Sequence, residues 1–178
     1  LVKSSVLLQK AVYDNIEFNL HLNGLSSNIF GDSAMLSQAL TNLLKNSAES
    51  INSSKNQLTN KNKIVGIIDI FTNLNHNFLE IKIFDTGIGL NNKISNFFEP
   101  YVTTKQNGTG LGLAIVRKII EQHDGSLNLY NSSNVLHKTF NKGVIAVIKL
   151  PLILKTNKFL TENSLETDFK IKEKIKTL

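Results

Sequence analysis

The sequence predicts an α+β fold in which helices lie on one face of a mixed, mostly antiparallel sheet. Three observations predict it. Residues 31–51 and 111–122 carry apolar side chains at helical spacing. Two β-rich runs, Lys63–Leu74 and Phe78–Gly87, are separated only by Asn75, His76 and Asn77, which reads as an antiparallel pair. The whole order is helix, strand, helix, two strands, a long irregular segment, helix, two strands.

Taken in order, LVKSSVLLQKAVYDN places Val2, Val6, Leu7 and Val12 near helical spacing. The next segment, IEFNLHL, alternates Ile16, Phe18, Leu20 and Leu22, the pattern of a half-buried strand. GDSAMLSQALTNLLKNSAESI starts at Asp32 or Ser33 as N-cap and gathers Leu36, Leu40, Leu43, Leu44 and Ile51 on one face. The polar run NSSKNQLTNKNK ends it as a loop. From Leu90 to Thr109 no periodicity is visible, and about twenty irregular residues in a compact domain imply a functional loop. A helix from Leu111 to Gln122 follows, with Gly125 expected as its C′ residue. Strands SLNLYN and GVIAVIKL close the domain at Pro151. No internal repeat is present.

Length and composition narrow the function classes. The 178 residues suit one domain with a sizeable core and appendages at its ends. The absence of cysteine excludes disulfides and thiolate metal sites and fits a cytoplasmic location. No apolar run is long enough for a bilayer, since the best candidate, GVIAVIKLPLIL, contains Lys149 and Pro151. The start of the sequence shows no charged–apolar–small export signal. The formal charge of +6 does not make a nucleic-acid module, because the lysines are scattered among asparagines and isoleucines without interleaved stacking aromatics.

Three features carry chemistry. Gly108, Gly110 and Gly112 precede a helix start, where unpaired N–H groups favour an anion. The loop is neither a P-loop, which needs Lys-Ser or Lys-Thr after its glycines, nor a dinucleotide turn, which follows a first parallel strand. Asp85-Thr86-Gly87-Ile88-Gly89 ends an apolar strand: its carboxylate can accept a hydrogen bond from an exocyclic amine, or the stretch is a tight D-x-G turn. Asn42 and Asn46 share a helix face that Glu49 continues, either as a solvated stripe or as an amide oxygen for Mg2+.

In their order and spacing, Asn46, DTGIG, FFEP and GTGLGL resemble the N, G1, F and G2 boxes of the sensor histidine kinase ATP-binding domain, over roughly residues 31–151. TNLLKNSAESI with FFEPYVTTKQNGTGLGLAIVRKIIEQH is most similar to the nitrogen-regulation NtrY/NtrB type. The resemblance implies a Bergerat-type two-layer α/β sandwich, as in gyrase-, Hsp90- and MutL-type ATPases, with Leu90–Thr109 as an ATP lid. It implies that Asp85 takes the adenine amino group and that Gly87 and Gly89 let the base approach. Asn46 would coordinate Mg2+, supported by Asn42 one turn earlier. Phe97 and Phe98 would anchor the lid, and Lys105 would approach the terminal phosphate. Gly108, Thr109, Gly110, Leu111 and Gly112 would hold the phosphates.

The same resemblance implies a kinase rather than a hydrolase. Hydrolytic relatives carry a glutamate where this chain has Asn42, which cannot act as a general base, and Glu49 lies about 10 Å further along the helix. None of His21, His76, His123 and His137 stands in a phosphoacceptor motif, so each reads as a solvated or capping histidine. The acceptor histidine is therefore expected on a separate dimerisation domain, supplied in cis or in trans, with a response regulator downstream and a homodimeric full-length protein. Residues 1–15 would end the connection from that domain, 16–152 form the ATP-binding domain, and 153–178 form a tail whose Phe169, Ile171 and Ile175 could make a weak helix. Any transmembrane sensor would lie upstream of Leu1. An anti-sigma-type serine kinase and a regulatory nucleotide-binding module without phosphotransfer are the alternatives. Two positions depart from the family: Asp124 stands for the first of two glycines, and Val144 for a threonine near adenine.

Overall fold

The computed structural model describes residues 1–23, 29–53, 64–75, 77–91, 96–103, 105, 108–132 and 142–152. Its elements are α1 (Val2–Val12), β1 (Ile16–Leu22), α2 (Ser33–Ser53), β2 (Gly66–Leu74), β3 (Phe78–Asp85), α3 (Gly112–Gln122), β4 (Ser126–Asn131) and β5 (Val144–Pro151). One five-stranded sheet runs in the order β1-β2-β3-β5-β4. β1 and β2 are parallel, and the other neighbouring strands are antiparallel. A parallel pair needs a crossover connection, and α2 supplies it.

The helices share one face of the sheet. Leu36, Leu40, Leu43, Leu44, Ala48 and Ile51 of α2 join one buried cluster with Ile68, Ile70, Ile81, Ile83 and Ile148 of the sheet. Val116, Ile119 and Ile120 of α3 complete it. On the opposite face Phe84, Ile145 and Val147 are also buried, with Ile67 and Phe71 against them. Strands covered on both faces need no polar alternation. That is why GVIAVIKL reads as a continuous apolar run.

α1 packs differently from its apolar spacing. Val6 is in the core and Ser5 and Gln9 are buried, while Leu7 and Val12 are 71% and 68% exposed. The inward stripe is Val2, Ser5, Val6 and Gln9, and Ser5 Oγ lies 3.4 Å from Ser37 Oγ of α2. Small and amphipathic residues thus fill the α1–α2 crossing. In β1 the expected alternation holds at Ile16 and Phe18 but not at Leu20, which is exposed.

Helix ends fix how α2 and α3 meet. Asp32 is the N-cap: its Oδ1 accepts hydrogen bonds from the N–H groups of Ala34 (2.8 Å) and Met35 (3.0 Å). His123, at the end of α3, accepts from the Asp32 N–H through Nε2 (2.9 Å) and donates through Nδ1 to the Ile119 carbonyl (2.7 Å). A Cβ on Gly31 would lie 2.5 Å from His123 Cδ2, so glycine allows this approach. The C′ residue of α3 is Asp124, not Gly125: Asp124 has φ +54 and its N–H bonds the Glu121 carbonyl, while the Gly125 N–H bonds the Ile120 carbonyl. This is a Schellman ending with Asp124 in the left-handed position. Gly125 is needed for another reason, since a Cβ there would sit 2.6 Å from the Lys149 carbonyl oxygen.

His21 stacks on Phe71 with ring centroids 4.3 Å apart. His76, His137, most of the loop after α2, and the tail residues Phe169, Ile171 and Ile175 lie outside the described residues. Among the described residues no helix is long and apolar enough to cross a membrane. Because His123 ties two helix ends with two hydrogen bonds, His123→Ala is expected to lower unfolding stability by about 1–2 kcal/mol in chemical denaturation. An unchanged midpoint would contradict this coupling.

Candidate functional site

Asp85 is the last residue of β3, and the two-residue strand period puts it on the helix side with Ile81 and Ile83. It is 3% exposed. Oδ1 accepts from the N–H groups of Gly87 (2.9 Å) and Val144 (3.1 Å), and Oδ2 accepts from Ser47 Oγ of α2 (2.9 Å). Burial pushes the Asp85 carboxyl above the usual carboxylate range, while these three donors pull against that shift. Gly143 makes the approach possible: its φ is +128, and a Cβ there would lie 1.8 Å from the Asp85 carbonyl oxygen. Val144 contributes through its backbone.

The loop after Asp85 is tied to three elements. Thr86 Oγ1 accepts from the Ile67 N–H of β2 (3.0 Å), and Ser50 Oγ of α2 accepts from the Ile88 N–H (3.1 Å). Asn131 Oδ1 of β4 accepts from the Leu90 N–H (2.7 Å). A Cβ at Gly87 would lie 2.2 Å from Ser50 Oγ, and Gly89 has φ +85. The glycines are therefore dictated by α2 and by backbone handedness.

The same helix carries the polar stripe. Asn42 is half-buried one turn before Asn46. The Lys105 ammonium bonds Asn46 Oδ1 (3.2 Å) and pairs with the Glu49 carboxylate, which Lys45 also approaches at 3.8 Å. An amide oxygen and a carboxylate thus share one cation. This is the hard-oxygen donor set that suits Mg2+ as well as an ammonium. Opposite Asn46 stands the start of α3: the atom nearest to a Cβ built on Gly112 is Asn46 Nδ2, at 3.7 Å. Leu111 caps α3 without a side-chain hydrogen bond among the described residues, and no acidic residue occupies the first turn. Its N–H groups are donors for an anion.

The ends of the long loop are also placed. The Tyr101 N–H bonds the Gly110 carbonyl (3.1 Å), and both residues have φ +67. A Cβ at Gly110 would lie 2.5 Å from the Tyr101 backbone. Phe97 and Phe98 are half-buried, and the Arg117 guanidinium of α3 sits 5.3 Å from the Phe98 ring centroid. Gly108 donates to the Lys105 carbonyl (3.2 Å), and Thr109 Oγ1 lies 3.4 Å from the Leu111 N–H.

The sequence-predicted residues thus form two groups joined by α2. Asp85, Gly87 and Gly89 lie at one, and Asn46, Lys105 and the start of α3 lie at the other. Ser47, Ser50 and Asn131 were not expected. The two serines were visible beside Asn46, since serine is a weak helix-interior residue. Asn131 had no local signal, because its partner Leu90 is 41 residues away.

Asp85 leads to a linkage prediction. Its folded pKa is raised, so its contribution to stability is present at acid pH and lost as pH rises through that folded value. In Asp85→Asn that loss disappears, and Ser47 Oγ can accept from the new amide. Thermal unfolding followed against pH should show the variant gaining on the wild type as pH rises. A constant difference would contradict the buried, raised carboxyl.

The chain matches the sequence family described as "Histidine kinase-, DNA gyrase B-, and HSP90-like ATPase" over residues 31–154. It is 39% identical over 124 residues to sporulation kinase B of Bacillus subtilis (strain 168), covering 69% of this chain and 25% of that one. It is 38% identical over 130 residues to nitrogen regulation protein NtrY of Azorhizobium caulinodans, covering 72% of this chain and 16% of the relative. The chain therefore spans a quarter or less of these relatives. Among solved structures, a mycobacterial sensor histidine kinase, MprB, superposes with a TM-score of 0.67 at 24% identity, over 85% of this chain and 91% of that one.

Proposed function

Because the chain belongs to the histidine kinase-, DNA gyrase B- and HSP90-like ATPase family, we propose that it is the ATP-binding catalytic domain of a two-component sensor histidine kinase. The observation that carries this reading is that consecutive residues of α2 reach the two groups of the candidate site. Ser47 bonds the buried acceptor Asp85, and Asn46 faces the start of α3. A base with an exocyclic amine at Asp85 would extend its phosphates toward the N–H groups of α3.

Asp85 accepts the adenine amino group, and Gly87 and Gly89 let the base approach the backbone. Asn46 holds Mg2+, with Glu49 close enough to help; bound there, the metal neutralises phosphate charge. Lys105 moves its ammonium from Glu49 to the terminal phosphate, and Asn42 supports Asn46 from the preceding turn. Gly108, Thr109, Gly110, Leu111 and Gly112 bind the phosphates through backbone donors. Phe97 and Phe98, held against Arg117, anchor the lid.

The site favours transfer over hydrolysis. An amide at Asn42 cannot take a proton from water, and Glu49 lies about 10 Å further along the helix. The γ-phosphoryl group therefore waits for a nucleophile from outside the described site. That nucleophile is a histidine on a dimerisation domain of a longer, homodimeric protein, with a response regulator as the next acceptor. Residues 1–15 connect to that domain, although α1 also packs on α2. Catalysis takes place in the cytoplasm.

Two measurements test this. Asp85→Ala should weaken ADP binding about 10- to 100-fold, the loss of one charge-assisted hydrogen bond. ATP labelled on its γ-phosphate should pass label to a separately supplied NtrY-type dimerisation domain as acid-labile phosphohistidine. Lys105→Ala should slow that transfer roughly 10- to 100-fold while ADP affinity stays within about threefold. Phosphate release without transfer, or an unchanged rate in Lys105→Ala, would contradict the assigned roles.

A further inference from the structure

We propose that Ser47 is a base-selecting residue: its hydroxyl aims one free acceptor site of Asp85 Oδ2 at the exocyclic amino group of adenine. The proposal rests on the nucleotide-binding reading above and deepens it by assigning what distinguishes one purine from another.

Among the buried residues of α2, Ser47 is the single polar one; the others are Leu36, Ala39, Leu40, Leu43, Leu44, Ala48 and Ile51. A buried serine inside a helix usually turns back to the carbonyl four residues earlier. Ser47 instead donates across to Asp85, 38 residues away, at 2.9 Å. Alanine would be the better helix former, and the neighbouring Ala48 shows that the helix accepts it. The hydroxyl is therefore explained by Asp85 rather than by α2.

A carboxylate offers about four acceptor sites. Two on Oδ1 are filled by the backbone N–H groups of Gly87 and Val144. These donors pin Oδ1, and because the carboxylate is planar they fix the position of Oδ2 as well. Ser47 fills one site on Oδ2, which leaves one site in a fixed direction. An amine donor gains a bond there. A carbonyl oxygen in the same place, as in hypoxanthine, meets a like-charged atom. Without the hydroxyl, both Oδ2 sites are open, a water can take either of them, and both bases are then met by a softer acceptor.

Calorimetric titration of the chain with ADP and with IDP, which differ at that exocyclic position, tests this. Wild type should bind ADP more tightly than IDP. Ser47→Ala should bring the two affinities about tenfold closer, mainly by weakening ADP. A serine needed only for folding would weaken both nucleotides alike. Ser47→Thr, which keeps the hydroxyl, should preserve the wild-type ratio. The proposal is overturned if Ser47→Ala keeps the full preference, if Ser47→Thr loses it, or if wild type binds ADP and IDP equally. Wild type that ignores ADP altogether overturns the nucleotide-binding reading and the proposal with it.

Discussion

The structure is organised around one costly group, the Asp85 carboxylate buried at the end of a central strand. An ionisable group there is stabilised only by donors placed on it, and three are supplied from separate elements. Each donor constrains the sequence. Val144 can reach it because Gly143 has no Cβ, Gly87 can turn back beside Ser50 because it too has no Cβ, and Ser47 must stand on the buried side of α2. A retained buried carboxylate is the sign of a site that exchanges stability for recognition.

The other group of the site is built on a different principle. Lys105, Glu49 and Asn46 are partly exposed, and their ion pair contributes little to folding. What matters is that a cation, an amide oxygen and the bare start of α3 meet at one place. The proposed phosphoryl transfer asks for positioning and charge neutralisation more than for covalent chemistry, and this arrangement is suited to both. The apolar stripe of α2 fixes the helix that joins the two groups by packing on the sheet.

Much of the fold was legible because period and burial coincide. The stripe from Leu36 to Ile51 buries as its spacing requires, and Asp85 stands at the end of an apolar strand as the sequence reads. Legibility failed where packing overrode pattern. α1 turns Leu7 and Val12 outward because Ser5 and Gln9 fit the crossing with α2. Asp124 rather than Gly125 takes the left-handed turn, since Gly125 is required by the carbonyl of Lys149. Of the candidate site, Asp85, Asn46 and the glycines stand out by box order and spacing. Ser47 shows in the sequence only as a serine inside a helix and Asn131 not at all, because their partners are 38 and 41 residues distant, a separation that no local motif encodes.

The most direct test of the pocket is calorimetric titration of the wild-type chain with a non-hydrolysable ATP analogue, first in Mg2+ and then in a chelator. The account predicts saturable binding that magnesium strengthens, because Asn46 and the phosphates share the metal. A folded sample that binds no nucleotide, or binds equally well in chelator, would contradict it.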